Sequence, residues 1–232
     1  SDVLLTGRGE PLLAYAEPAE SEFLERLHAA FREWPLSLQT NGLLLLQEGA
    51  EGAGLAERLY AWGLDTLALS LDAVQEFELF DGVIRRLKDA GFTVRVCLNV
   101  TDKIPEDFGF EEMVERCRRH GADQFLMRNI SVPRQIGEDE ASRRTARWIE
   151  GHASLPRWER LNAEAQEALS ERGVLRRTLN FGLKIYEYGG LSVSVSDYCI
   201  QDESRDEDVR SLIFDQDGHV YTAWNSRATR LL

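Results

Sequence analysis

Residues 66–99, TLALSLDAVQEFELFDGVIRRLKDAGFTVRVCLN, contain one complete structural unit. Thr66–Leu71 (TLALSL) is a short, almost wholly apolar run, the signature of a strand buried on both faces. Over 74–90 the apolar residues Phe77, Phe80, Val83, Ile84 and Leu87 recur at helical spacing, and the pattern stops at Gly91. Thr93–Asn99 (TVRVCLN) is a second apolar strand. A strand, an amphipathic helix and another strand in this order predict two parallel strands joined by a right-handed crossover.

The same unit recurs on either side. Upstream, Asp2–Thr6 precedes a helix over 18–34 with Phe23, Leu24, Leu27, Ala30, Phe31 and Trp34 on one side, stopped by Pro35. Leu36–Thr40 (LSLQT) precedes a helix over 52–62 that ends at Gly63. Downstream, a helix over 109–120 leads to Gln124–Arg128 (QFLMR). Five strands in such units predict an α/β fold built on a parallel sheet or barrel, with chemistry at the carboxyl ends of the strands. The alternation then lapses. Residues 138–150 and 156–172 read as two helices, and from 183 the period becomes two. Gly189-Gly190 separates KIYEY from LSVSVSDY, and Asp217-Gly218 separates RSLIF from HVYTAW, two hairpin signals. The expected organisation is a βα core over 1–135, a helical segment over 136–182 and a hairpin region over 183–232.

The chain of 232 residues has a formal net charge of −13, which disfavours general nucleic-acid binding. Arg143, Arg144 and Arg147, with Arg176 and Arg177, are read as solvated faces. No apolar run is long enough to span a membrane. Three cysteines, Cys97, Cys117 and Cys199, share no metal-ligand spacing, so neither a disulfide framework nor a metal site is expected, and a reducing cytoplasm is. The four histidines show no metal spacing either.

The strand ends hold the candidate site. The first strand is followed by Thr6-Gly7-Arg8-Gly9-Glu10-Pro11, where two glycines permit a sharp turn and expose backbone to a ligand. A plain tight turn explains the glycines equally well. The second strand ends in Gln39-Thr40-Asn41-Gly42, also a plausible Asn-Gly turn. The third ends in Ser70-Leu71-Asp72, whose hydroxyl and carboxylate suit a ribose diol or a helix cap. The fourth offers Asn99, and the fifth Arg128 and Asn129.

Together the series GRGEPLL, LQTNG and LSLDA at successive strand ends resembles the radical S-adenosylmethionine (radical SAM) superfamily over about residues 1–130. The resemblance implies a partial (β/α)6 TIM-like barrel, here lacking its first strand, with C-terminal antiparallel hairpins. Gly7, Gly9, Glu10 and Pro11 would form the loop that meets the amino group of S-adenosylmethionine (SAM). Thr40 would lie near SAM, Ser70 and Asp72 would face its ribose or carboxylate, and Asn99 and Arg128 would point inward near SAM or substrate. It further implies a [4Fe–4S] cluster, held in the family by a C-x-x-x-C-x-x-C loop after the first barrel strand. No such loop occurs in this sequence, and its ligands are expected upstream of Ser1, so that the chain as it stands is expected to be inactive.

The family's reaction is one-electron cleavage of SAM to methionine and a 5′-deoxyadenosyl radical, which abstracts hydrogen from a substrate. A donor such as flavodoxin or ferredoxin would supply the electron. The substrate, whether small molecule, peptide or modified nucleotide, is not encoded in any motif. Two alternatives stand beside this reading: a cluster-less barrel acting as a binding module, and an aldolase-like acid–base enzyme using Lys103 or a Glu10–Asp72 pair.

Overall fold

The computed structural model describes residues 3–6, 9–15, 21–47, 54–132, 140–179, 182–197, 212–215, 217–222 and 227–231. In chain order, β1 (Val3–Leu5) leads to α1 (Pro11–Tyr15) and α2 (Ser21–Ala30). Next, β2 (Leu36–Thr40) leads to α3 (Leu43–Gln47) and α4 (Leu55–Ala61), and β3 (Thr66–Leu71) to α5 (Glu76–Leu79) and α6 (Asp81–Ala90). Then β4 (Thr93–Val100) is followed by α7 (Phe110–Arg119), and β5 (Gln124–Asn129) by α8 (Glu140–His152) and α9 (Leu155–Arg172). Five short strands complete the chain: β6 (Val174–Thr178), β7 (Lys184–Tyr188), β8 (Leu191–Ser196), β9 (Ile213–Phe214) and β10 (Val220–Tyr221).

Eight strands form one sheet in the order β1-β2-β3-β4-β5-β8-β7-β6, and β9 pairs with β10 separately. The first five strands are parallel, and β8 continues the sheet parallel to β5. The turn at Gly189-Gly190 then folds β7 back against β8, and β6 lies outermost, both pairs antiparallel. The α/β class with a largely parallel sheet is therefore as the sequence predicts, and the hairpin at 184–196 extends this sheet. Among the described residues no pairing closes β6 onto β1, so β1 and β6 form its two edges.

Because the strand order advances in one direction through β5, right-handed crossovers place the connecting helices on one face. Contacts between α4 and α6, α6 and β4, α7 and β5, and α7 and α9 form that layer. Its core comprises Leu67, Leu69 and Leu71 of β3, Val94, Val96, Leu98 and Val100 of β4, and Phe125 and Met127 of β5, packed against helix residues such as Ile84, Leu87 and Met113. Burial of one large apolar side chain contributes about 1.5–3 kcal/mol, so this layer holds the sheet.

Helices α6 and α7 end alike. Gly91 and Gly121 adopt positive φ, and the amides of Phe92 and Ala122 reach back to the carbonyls of Leu87 and Cys117, both at 3.0 Å. An aspartate then locks the sheet's amino-terminal end: Asp65 Oδ2 accepts from the Leu36 amide at 2.8 Å, and Asp123 Oδ2 from the Val94 amide at 2.8 Å.

The helix predicted over 74–90 is broken at Phe80 into α5 and α6. The strand β6 has no counterpart in the sequence reading. Its five residues are all exposed, so no buried face imposed an apolar period.

Candidate functional site

Alternation along the strands gives the sheet a second face, away from the helices. The registers align Gln39 with Ala68, Arg95, Gln124 and Ser192; Ser70 with Cys97, Leu126 and Ser194; and Asn99 with Arg128 and Ser196. This face is mostly polar, and its members other than Ala68 and Cys97 are partly exposed. Its upper edge, at the carboxyl ends of the parallel strands, carries the motif residues.

Glu10 joins the first two strand ends. Its Oε1 accepts from the Leu12 amide at 2.9 Å and from the Thr40 hydroxyl at 2.5 Å, and its Oε2 accepts from the Asn41 amide at 2.7 Å. A carboxylate offers about four acceptor positions, so one remains for a ligand. Thr40 is buried, and its oxygen also accepts from the Gly42 amide at 2.9 Å. Asn41 Oδ1 accepts from the Leu43 amide at 3.0 Å, a side-chain-closed turn. Gly42 has φ +71°, and a Cβ there would sit 2.7 Å from Phe80 Cε1. Each residue of Thr-Asn-Gly thus has a structural task that its residue type explains.

Gly9 is exposed and a Cβ on it would meet nothing, which leaves its backbone open on the rim. Pro11 opens α1, where its missing N–H costs nothing. Gly7 lies outside the described residues.

The third and fourth strand ends are tied separately. Ser70 Oγ accepts from Gln39 Nε2 at 3.1 Å. Asp72 Oδ1 accepts from Asn99 Nδ2 at 2.7 Å, and the Thr101 hydroxyl donates to the Asp72 carbonyl at 2.6 Å. Capping of the following turn falls to Glu76, whose Oε2 accepts from the amides of Asp72 and Ala73. The Asp72 carboxylate is therefore oriented by Asn99 across the strand ends rather than used as a helix cap. At the fifth end Asn129 Nδ2 donates to Asp197 Oδ1 at 3.1 Å. Arg128 has a buried Nε without a hydrogen-bond partner among the described residues.

Beside the rim, α8 packs on the loop after β4. Asp102 N donates to the His152 carbonyl, the His152 ring meets the Asp102 carboxylate at 2.9 Å, and Lys103 Nζ stands 5.7 Å from the centre of the Trp148 ring. Lys103 is thus turned to α8. Glu10 and Asp72 belong to separate hydrogen-bond networks.

Among the described residues no three His, Cys, Asp or Glu side chains gather as a metal site. Cys97 and Cys117 are buried free thiols. Burial pushes both thiol pKa values up, and for Cys97 the nearby Arg128 and Arg95 partly oppose it. Neither is a ready thiolate. Cys199 lies outside the described residues. No described helix is long and apolar enough to cross a membrane.

Comparison with known proteins adds shape only. No protein-family model matches the chain, and no curated protein matches it. Several solved structures are similar to it, two of them as follows. One is a type I 3-dehydroquinate dehydratase from Clostridium difficile, with 19% identity over 46% of this chain and 44% of that chain, at a TM-score of 0.33. The other is Streptococcus suis SuiB bound to S-adenosylmethionine, with 15% identity over 85% of this chain and 39% of that chain, at a TM-score of 0.41. The chain spans less than half the length of either. Likenesses this loose assign neither ligand nor reaction.

Sequence reading missed Gln39, Arg95, Gln124 and the serines of β8 as members of the polar face. The signal was present in LSVSVS, where serine at every second position marks a strand with one polar side. What was missing was the knowledge that β8 lies against β5.

Proposed function

We propose that the protein binds SAM across the carboxyl ends of β1, β2 and β3, as part of a radical SAM enzyme. One observation carries this reading. Gly9-Glu10-Pro11, Thr40-Asn41-Gly42 and Ser70-Leu71-Asp72 stand at the ends of three adjacent parallel strands, and the Glu10 carboxylate bonds the first to the second. Separate turns would need no such cross-link.

In this reading the Glu10 network holds two loops rigid, so that backbone around Gly9 and the remaining acceptor position of Glu10 meet an ammonium group. Ser70 and the Asp72 carboxylate, fixed by Asn99, meet ribose hydroxyls. Rigid first contacts lower the ordering cost of binding. When bound, SAM supplies a sulfonium centre with a cleavable carbon–sulfur bond. The described residues do not fit an iron–sulfur cluster. Its three thiolates would have to come from a loop, whereas Cys97 and Cys117 are buried on β4 and α7 with raised pKa values. No step through a cluster is derived from these residues.

A second reading is a binding module with a SAM-shaped rim and no cluster. Anaerobic iron and sulfide analysis of the full-length natural protein separates the two. About four irons per chain, with reductant-dependent formation of 5′-deoxyadenosine from SAM, supports the enzyme. SAM binding without iron after reconstitution supports the module, and neither iron nor SAM binding refutes both.

A further inference from the structure

Beyond the SAM rim, the polar face continues over β4, β5 and β8, and its charge differs from that of the whole chain. The chain carries −13 overall. Yet the residues aligned on this part of the face include Arg95, Gln124, Arg128, Ser192 and Ser194, and the carboxylates that border it are engaged elsewhere, Asp72 with Asn99 and Glu187 with Arg176. Arg95 Nε donates to Gln124 Oε1 at 2.7 Å. Arg128 aligns with Asn99 and Ser196, and its Nε is buried with no acceptor among the described residues. A guanidinium is always charged and carries five donors in a planar fork that matches two oxygens of one anion. Leaving such a donor buried and unmet is costly, and an unmet group of this kind calls for a specific partner.

We propose that Arg128 is the anchor of an oxyanion site, which takes the carboxylate or phosphate group of the substrate. This rests on the SAM reading in one respect: SAM is taken to occupy the ends of β1 to β3. Arg128 stands two strands beyond β3, about 10 Å along the sheet, so its charge serves a second molecule bound beside the first. The serine hydroxyls of β8 and the Gln124 amide supply neutral hydrogen bonds around the anion. A substrate bearing an acidic group is thereby oriented with that group toward β5 and β8 and its remainder toward the rim.

The test is titration of the protein with pyrophosphate and, separately, with citrate at low ionic strength, by calorimetry and amide chemical shifts. SAM is titrated in parallel. Saturable binding of one probe, with shifts at Gln124–Arg128 and Ser192–Ser196, is expected, and the probe that binds distinguishes phosphate from carboxylate. Arg128→Gln should weaken it at least about tenfold, the loss of a charge-assisted contact. Arg128→Lys should fall between, because it keeps the charge but loses the fork. Arg144→Gln, on the exposed face of α8, should leave it unchanged. SAM affinity should stay within about twofold in all variants. Both variants at 128 replace a partly exposed side chain, and unchanged thermal melting verifies the fold.

Absence of saturable anion binding, or equal loss in the Arg144 variant, overturns the proposal. So does an Arg128→Gln effect on SAM alone, which would place the SAM carboxylate at Arg128 and leave the SAM reading standing. Arg128-dependent anion binding without any SAM binding keeps the oxyanion site and refutes the rim assignment.

Discussion

Removing Glu10 should loosen the rim by an amount that its bonds define. The carboxylate accepts three hydrogen bonds, from Leu12 N, Thr40 Oγ1 and Asn41 N. Bonds to a charged group contribute about 1.5–3 kcal/mol each. The Asn41 bond is exposed and water replaces it in Glu10→Ala, which leaves two at the lower value, about 3 kcal/mol. For a chain of this size each kcal/mol moves the melting temperature by about 2–4 °C, so Glu10→Ala should melt about 6–12 °C lower. Glu10→Gln should be milder, because its amide oxygen can keep the Leu12 and Thr40 bonds while its NH2 faces only the exposed Asn41 amide. Thr40→Val removes one partner, and the double variant completes a cycle whose coupling should be about 1.5 kcal/mol. Urea unfolding of the four proteins measures it. Coupling near zero, with Glu10→Ala within about 1 kcal/mol of the parent, would refute the view that Glu10 ties β1 to β2.

Gly42→Ala should cost about 2–4 kcal/mol by urea unfolding, because φ is +71° and the new Cβ would lie 2.7 Å from Phe80 and 3.0 Å from Leu69. Tyr188 is buried and donates to Glu111; burial first, and then that bond, push its pKa up to about 12. A phenol held neutral by the fold stabilises it below the unfolded value near 10, and that contribution disappears as pH rises toward 12. Absorbance titration should therefore show a late-titrating tyrosine that is lost in Tyr188→Phe, and that variant should lose less stability than the parent between pH 10 and 12. Cys97 and Cys117, buried and with raised pKa values, should resist iodoacetamide at pH 8 in the native protein and react on unfolding, as mass spectrometry of labelled peptides would show.

The strand–helix core was legible because each unit imprints two periods on the chain, near-continuous apolar strands and helices with one apolar stripe. Glycines at 63, 91 and 121 marked the helix ends accurately, since positive φ there excludes most other residues. The site was legible only as a series of motifs. That Thr-Asn-Gly is a turn was legible locally, because its own side chains close it. That Glu10 bonds across to it depends on residues about thirty apart in sequence meeting at adjacent strand ends. Two features left no local trace. The exposed edge β6 lacks a buried face, and the neighbour relation of β5 and β8, which assembles the polar face, joins residues 68 apart, as in Gln124 and Ser192.

In the proposed function the ends of β1 to β3 form a SAM rim. Titration of the 15N-labelled protein with SAM, followed by amide chemical shifts, tests it most directly. Saturable shifts should centre on Gly9–Glu10, Thr40–Gly42 and Ser70–Asp72, with those in Thr40–Gly42 lost in Glu10→Ala. No saturable shift, or shifts centred on the helical layer or on β6 and β7, would contradict it.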